Sequence, residues 1–237
     1  MSGWHDGPML AVDTETSGRD PHTARVVQIG LARIVPGEGV SAQLYLVDPG
    51  IEIPDEAAAI HGLTTEHVRE HGQQPAEVLR KVGAALGDWL DQGLPIVAMN
   101  AAYDCTLLEA ELARHGITSA GLADGPVIDP FVIDKHVDTY RRGSRKLEAL
   151  CQHYGVRLDG AHDAGYDAMA AARVAWRIGK VHPLIGGLSL PELHQAQVGW
   201  AREQADSLRA YFDSRGTAHD GCDGTWPVRR ARQEVAA

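Results

Sequence analysis

Three strand-like runs, Met9–Asp13, Val26–Val35 and Ala42–Val47, precede any sustained helical pattern, and strands and helices alternate after them. That order is the strongest constraint on the fold. Apolar, β-branched runs of this length bounded by glycine and proline form strands. Pro36-Gly37-Glu38-Gly39 reads as a turn, which makes the second and third strands antiparallel neighbours. After Pro75, residues Val78, Val82, Ala85, Leu86 and Trp89 recur at three- and four-residue steps, the signature of one buried helix face. Ile96–Met99 then reads as a strand, the segment around Leu107-Leu108 and Leu112 as a helix, and Val127-Ile128-Asp129 as a short fifth strand. Such an order builds an α/β sandwich, a mixed sheet flanked by helices. With 237 residues, 44% of them hydrophobic, the chain can bury one sizeable core plus an appendage.

Acidic residues sit where these elements end. The run Leu10-Ala11-Val12 leads into Asp13-Thr14-Glu15, two carboxylates two positions apart. On a strand that spacing points both to one face, where a single divalent cation can meet both oxygens. Alone, the pair equally describes an amphipathic edge strand with its acids in water. Asp104 follows the strand Ile96–Met99 at the start of the next helix, a place that also suits an aspartate as a partner of exposed helix amides. The third cluster is Gly160-Ala161-His162-Asp163-Ala164-Gly165-Tyr166-Asp167, running into an alanine-rich helix. Residues five apart on one helix lie about 140° around its axis. Asp167 is therefore expected on the helix and His162 on the glycine-bounded segment before it, a fixed ligand beside a mobile base. His162 alone is one of 12 histidines and need be no more than a surface residue.

Taken together, the clusters resemble the DEDDh 3′→5′ exonucleases, which have a ribonuclease-H-like fold. Asp13-Thr-Glu-Thr-Ser-Gly18 is similar to the family's first motif, Asn100-Ala-Ala-Tyr103-Asp104 to its second, and His162 with Asp167-Ala168 to its third. Ile60-His61-Gly62-Leu63-Thr64 resembles a family segment near the substrate's terminal nucleotide. The likeness spans about residues 8–180, and three motifs in order are specific where each singly is not. It implies a three-layer ribonuclease-H-like sandwich over residues 1–183, followed by a helical extension and irregular tail over 184–237.

The resemblance also implies the chemistry. Asp13 bridges two Mg²⁺ ions, for which Mn²⁺ can substitute, Glu15 and Asp167 complete the first site, Asp104 supports the second, and His162 takes the proton of the attacking water. Thr16, His61, Asn100 and Tyr103 are the expected substrate contacts. The implied reaction releases nucleoside 5′-monophosphates from single-stranded 3′ ends of DNA or RNA. One departure stands out: Met99 precedes Asn100 where many relatives have histidine, which removes a polar contact near the substrate. Tyr103 stands where phenylalanine is commoner and keeps an aromatic face for stacking.

The formal charge of −10 excludes coating of duplex DNA by massed basic contacts. Arg141, Arg142, Arg145 and Lys146 form the best local basic patch, either a phosphate track or a solvated turn. No apolar run approaches the roughly 18 residues that cross a membrane, and the N-terminus lacks a secretory stretch, so a cytoplasmic enzyme is expected. Cys105, Cys151 and Cys222 are too few and too scattered for a disulfide framework. His219 and Cys222 have ligand-like spacing without a second pair, which favours a surface loop.

Ser189-Leu190-Pro191-Glu192 reads as a helix start, and Leu193, Val198, Ala201, Ala205, Leu208 and Phe212 stripe a long helix beyond it. That stripe packs on the core, or meets a DNA polymerase or a second copy of the chain. Arg229, Arg230 and Arg232 in the tail are a weak nucleic-acid contact. A proofreading module bound to a polymerase and a non-catalytic nucleic-acid-binding protein of the same fold are the alternatives to a free-standing exonuclease. The second is disfavoured because clustered carboxylates repel one another unless cations lie between them.

Overall fold

The structure is a computed structural model that describes residues 3–158, 163–219 and 222–230. Five strands, β1 (Met9–Thr16), β2 (Val26–Val35), β3 (Gly39–Leu46), β4 (Ile96–Val97) and β5 (Val127–Ile128), form one sheet in the order β3-β2-β1-β4-β5. The β1–β2 and β2–β3 pairs are antiparallel, whereas β1–β4 and β4–β5 are parallel. This is the mixed sheet of a ribonuclease-H-like sandwich. β3 starts three residues earlier than its apolar pattern indicates, because Val35 pairs with Gly39 across a turn whose Gly37 and Gly39 have φ of 86° and 94°. As an exposed edge strand it shows no hydrophobic alternation to read.

Nine α-helices lie among the described residues: α1 (Asp55–His61), α2 (Thr65–His71), α3 (Pro75–Asp91), α4 (Ala101–Arg114), α5 (Pro130–Val137), α6 (Leu147–Tyr154), α7 (Ala164–Val181), α8 (Pro183–Gly186) and α9 (Leu190–Arg215). None is long and apolar enough to cross a membrane. The seven-residue α1 and α2 escape a periodicity search because each is barely two turns long.

The two-residue period of β1 splits its side chains between two cores. Leu10 and Val12 join the side covered by α3 and α4, with Val78, Leu86 and Leu108. Met9 and Ala11 join the side covered by α6 and α7, with Leu150, Val174 and Ile178. The same alternation continues to the strand's end, so Asp13 and Glu15 face the α7 layer while Thr14 and Thr16 face the α4 layer.

Helix α9 packs back on this body rather than projecting from it. Its Leu193 and Gln197 are fully buried, and Gln197 donates to the carbonyl of Val127 in β5 at 2.9 Å. A capping box between Ser189 and Glu192 starts it, and Gly216 ends it at φ 62°. The segment 222–230 has no helix or strand, yet Trp226 within it is only 6% exposed.

Candidate active site

Helix α7 begins where β2 lets it come close. A Cβ on Gly30 would lie 2.2 Å from the carbonyl carbon and oxygen of Ala164, so only glycine admits the helix start at that point. Gly30 pairs directly with Asp13, and Gln28, which pairs with Glu15, accepts the Ala164 amide on its side-chain oxygen at 3.1 Å. Asp163 caps the helix by accepting the amides of Gly165 and Tyr166. Asp167, one turn in, is thereby fixed over the carboxylates of β1. Oxygens of Asp13, Glu15 and Asp167 all lie within 4.8 Å of one another, a group able to hold a metal ion.

Asp104 arrives from the opposite layer. Thr14, between the two β1 acids, donates to Asp104 Oδ1 at 2.6 Å. One strand thus carries two carboxylates on one face and a hydroxyl that positions a third carboxylate on the other. The Tyr103 phenol meets the Thr16 hydroxyl at 2.7 Å and donates to the Gly18 carbonyl, which locks its ring. His61 closes α1 and accepts the Leu63 amide on Nδ1 at 3.1 Å. Glu15, Thr16, His61 and Tyr103 together line a groove of about 610 Å³.

One expected contact, Asn100, is placed apart from the groove. Asn100 lies in a left-handed conformation, φ 61° and ψ 48°, at the start of α4 and faces a separate cavity of about 420 Å³ under α9. Met99 packs among the apolar residues of the α7 side. His162 lies outside the described residues, as does Arg232 of the tail.

The electrostatics are those of crowded acids. Burial and the charges of Asp104, Asp167, Glu15 and Asp163 push the Asp13 carboxyl well above the usual range. Burial, then Asp167 and Asp104, push Glu15 up to about 7. Asp104 also rises to about 7, chiefly through burial, although the Thr14 hydrogen bond opposes the shift. In the metal-free protein these groups hold protons that the unfolded chain releases near pH 4. The native state therefore binds more protons between about pH 4 and pH 7, and stability falls as pH rises through that window. A divalent cation that neutralises the cluster is expected to raise the melting temperature more at pH 8 than at pH 5, as scanning fluorimetry with Mn²⁺ against chelator can read. An equal rise at both pH values would contradict the coupling.

The sequence of this chain matches the RNase_T family model, described as Exonuclease, over residues 10–175. The chain belongs to the exonuclease family. More specifically, it is a DEDDh member with the ribonuclease-H-like fold. It is 30% identical over 172 residues to a DNA polymerase III PolC-type protein of Streptococcus suis (strain 98HAH33), covering 71% of this chain and 11% of that protein. Identity is again 30% over 174 residues to a DNA polymerase III subunit epsilon-like protein of Rhodobacter capsulatus, covering 71% of this chain and 23% of the relative. The exonuclease chain thus spans a minor part of each relative's length. Among solved structures, the zinc-bound form of the E. coli exonuclease I–ssDNA complex superposes with a TM-score of 0.63 at 20% identity, over 75% of this chain and 41% of that one.

The basic patch before the third motif turns out to be divided. Asp134 is completely buried, and it receives Arg141 at 2.5 Å, the Arg145 guanidinium and the Tyr154 phenol at 2.8 Å. Arg141 and Arg145 are thus committed to an internal carboxylate, whereas Arg142 and Lys146 are exposed. Charge reversal at Arg142 and Lys146 is the sound test of phosphate tracking. The expected outcome is a several-fold higher KM for long oligonucleotides and little change for a dinucleotide; equal effects on both would exclude the track.

His219 and Cys222 approach one another, Sγ to Nδ1 3.9 Å, and His219 also meets Asp213 at 3.0 Å. Among the described residues, only Asp13, Glu15 and Asp167 form a three-ligand metal group. All three cysteines are free, with Cys105 and Cys151 buried. Gly30 and Gln28 are the residues that sequence reasoning missed. The signal available for the first was a glycine interrupting an otherwise apolar strand, which marks a close backbone approach.

Proposed function

We propose that this chain is a metal-dependent 3′→5′ exonuclease that shortens single-stranded ends of DNA or RNA and releases nucleoside 5′-monophosphates. The supporting observation is the approach of Asp13, Glu15 and Asp167 within 4.8 Å, with Asp104 joined through Thr14, beside a groove of about 610 Å³. An all-carboxylate donor set suits hard, oxygen-seeking ions such as Mg²⁺ or Mn²⁺. Crowded acids whose protonation is favoured by repulsion are what such ions relieve. Asp13, Glu15 and Asp167 would hold one ion and Asp13 with Asp104 the other. When bound, a pair of divalent cations lowers the pKa of an attacking water and neutralises the leaving oxygen.

The chain's own groups supply the rest. His162 accepts the proton of the attacking water, a role that suits an imidazole near neutral pH. Thr16 and Gly18 hold the Tyr103 ring rigid against the terminal sugar or base, and His61 lines the same groove. Residues 1–183 form the nuclease domain in this reading, with 184–237 as the extension.

Digestion of matched 5′-labelled and 3′-labelled DNA and RNA oligonucleotides with Mg²⁺ tests the proposal. The 5′ label should appear in a ladder of shortening fragments and the 3′ label in mononucleotide from the first time point, with both processes stopped by chelation and by His162→Ala. Shortening from the 5′ end, or cleavage that persists in chelator, would refute it.

A second reading, a proofreading module associated with a DNA polymerase, is supported by the names of the two relatives above. Deleting residues 189–237 cannot test it cleanly, since that removes the buried Gln197 and Trp226. Leu208 and Tyr211, exposed on α9, are better targets. Their replacement by glutamate should abolish co-purification with a polymerase and leave digestion of free oligonucleotides intact. Unchanged co-purification would remove α9 as the docking face.

A further inference from the structure

The segment 222–230 is tied to the first two turns of α4 at two points, one on each side of Asp104. The first tie runs through Asp129, a carboxylate 1% exposed at the start of α5. Its Oδ1 accepts the amides of Asn100 and Phe131, both at 2.9 Å, and its Oδ2 accepts the Ala101 amide at 2.9 Å. The Trp226 indole N–H donates to the same Oδ2 at 3.2 Å. Gln197 of α9 accepts the backbone amide of Asp129 at 2.7 Å, so this anchor is held from two parts of the extension. The second tie runs through Thr106, 2% exposed, whose hydroxyl donates to the Ala102 carbonyl at 2.6 Å and accepts the Arg229 amide at 2.8 Å.

These contacts bear on α4 in a particular way. The helix opens from a left-handed Asn100 whose side chain makes no cap, so its first amides depend on Asp129. A buried carboxylate needs all its donors, and the loss of one leaves it under-satisfied and free to shift. Asp104 sits between the two anchored points, with its own carboxylate bonded to Thr14. We propose that Trp226 and Thr106 are positioning residues: the C-terminal strap sets the angle of the first turn of α4 and so the placement of Asp104 against the acids of β1. This deepens the exonuclease reading and rests on it for its kinetic consequence.

Trp226→Phe keeps a smaller aromatic ring and removes the donor, and Thr106→Val keeps the shape and removes the hydroxyl. Each is expected to lower kcat on the order of tenfold, the scale of one hydrogen bond to a buried charged or backbone group. KM for an oligonucleotide should stay within about twofold, and the Mn²⁺ concentration for half-maximal rate should rise. Hydrogen–deuterium exchange across residues 98–108 should accelerate in both variants, a readout independent of activity. Unchanged exchange in those amides would overturn the inference, as would a kcat loss that vanishes when rates are expressed per folded molecule. A wild-type protein without metal-dependent nuclease activity would defeat the exonuclease proposal, while the exchange data would still decide whether the strap holds α4.

Discussion

Asp13→Asn is expected to lower kcat by about 10³-fold and, at the same time, to raise the melting temperature of the metal-free protein. The first effect follows from removing a charge where ligand oxygens converge, on the scale observed when a single electrostatic stabiliser is lost from an active site. The second follows from the repulsion around it. Asp13 is pushed far up its range by burial and by the charges of Asp104, Asp167, Glu15 and Asp163, so an uncharged isostere relieves repulsion that otherwise only a bound proton or a cation relieves. Above pH 7 the gain should be several degrees, since about 1 kcal/mol moves a domain of this size by roughly 2–4 °C. Added Mn²⁺ should stabilise the variant far less than the wild type. Activity and stability moving in opposite directions separate a functional cluster from a structural one, where both would fall. Degradation of a labelled oligonucleotide and scanning fluorimetry in chelator read the two quantities, and a lower melting temperature would count against the account.

Gly30→Ala is expected to damage the site from the neighbouring strand, on the same face of the sheet. The new Cβ would meet the Ala164 carbonyl carbon and oxygen at 2.2 Å, and backbone at a helix start cannot yield as a flexible side chain would. Helix α7 must therefore move, carrying Asp167 with it, and misplacement of about 1 Å can cost on the order of 10²-fold in rate. Overpacking of this kind also destabilises by about 1–3 kcal/mol. The expected result is a parallel loss of kcat and Mn²⁺ affinity that exceeds the loss of stability. Unaltered Mn²⁺ affinity in a folded variant would show that the close approach at Gly30 does not set the position of Asp167.

Much of this site is legible in the sequence because it obeys simple periods. Asp13 and Glu15 share a face because a strand repeats every two residues, and Asp167 lies on an alanine-rich helix that few other conformations would accommodate. The order of elements likewise specifies the mixed sheet. What local pattern does not carry is the approach of one backbone to another. Gly30 and Gln28 act by admitting and anchoring α7, a role visible only once β2 and α7 are packed. Arg141 and Arg145 look like solvent-facing charges in a row, but their partner Asp134 lies several residues earlier, where its burial leaves no mark on the pattern. Residues 222–230 have no periodicity at all, and their ties to Asp129 and Thr106 span 97 and 123 positions of chain. Asn100 offers its backbone to Asp129 instead of standing in the groove with Thr16, His61 and Tyr103.

Calorimetric titration with Mn²⁺ in the presence of a nucleoside 5′-monophosphate tests the central claim most directly. The expected result is saturable binding of two ions per chain in the wild type, reduced in number or affinity by Asp13→Asn, Asp104→Asn and Asp167→Asn alike. No saturable binding, or binding that survives all three substitutions, would contradict the assignment of these carboxylates as a divalent-cation site.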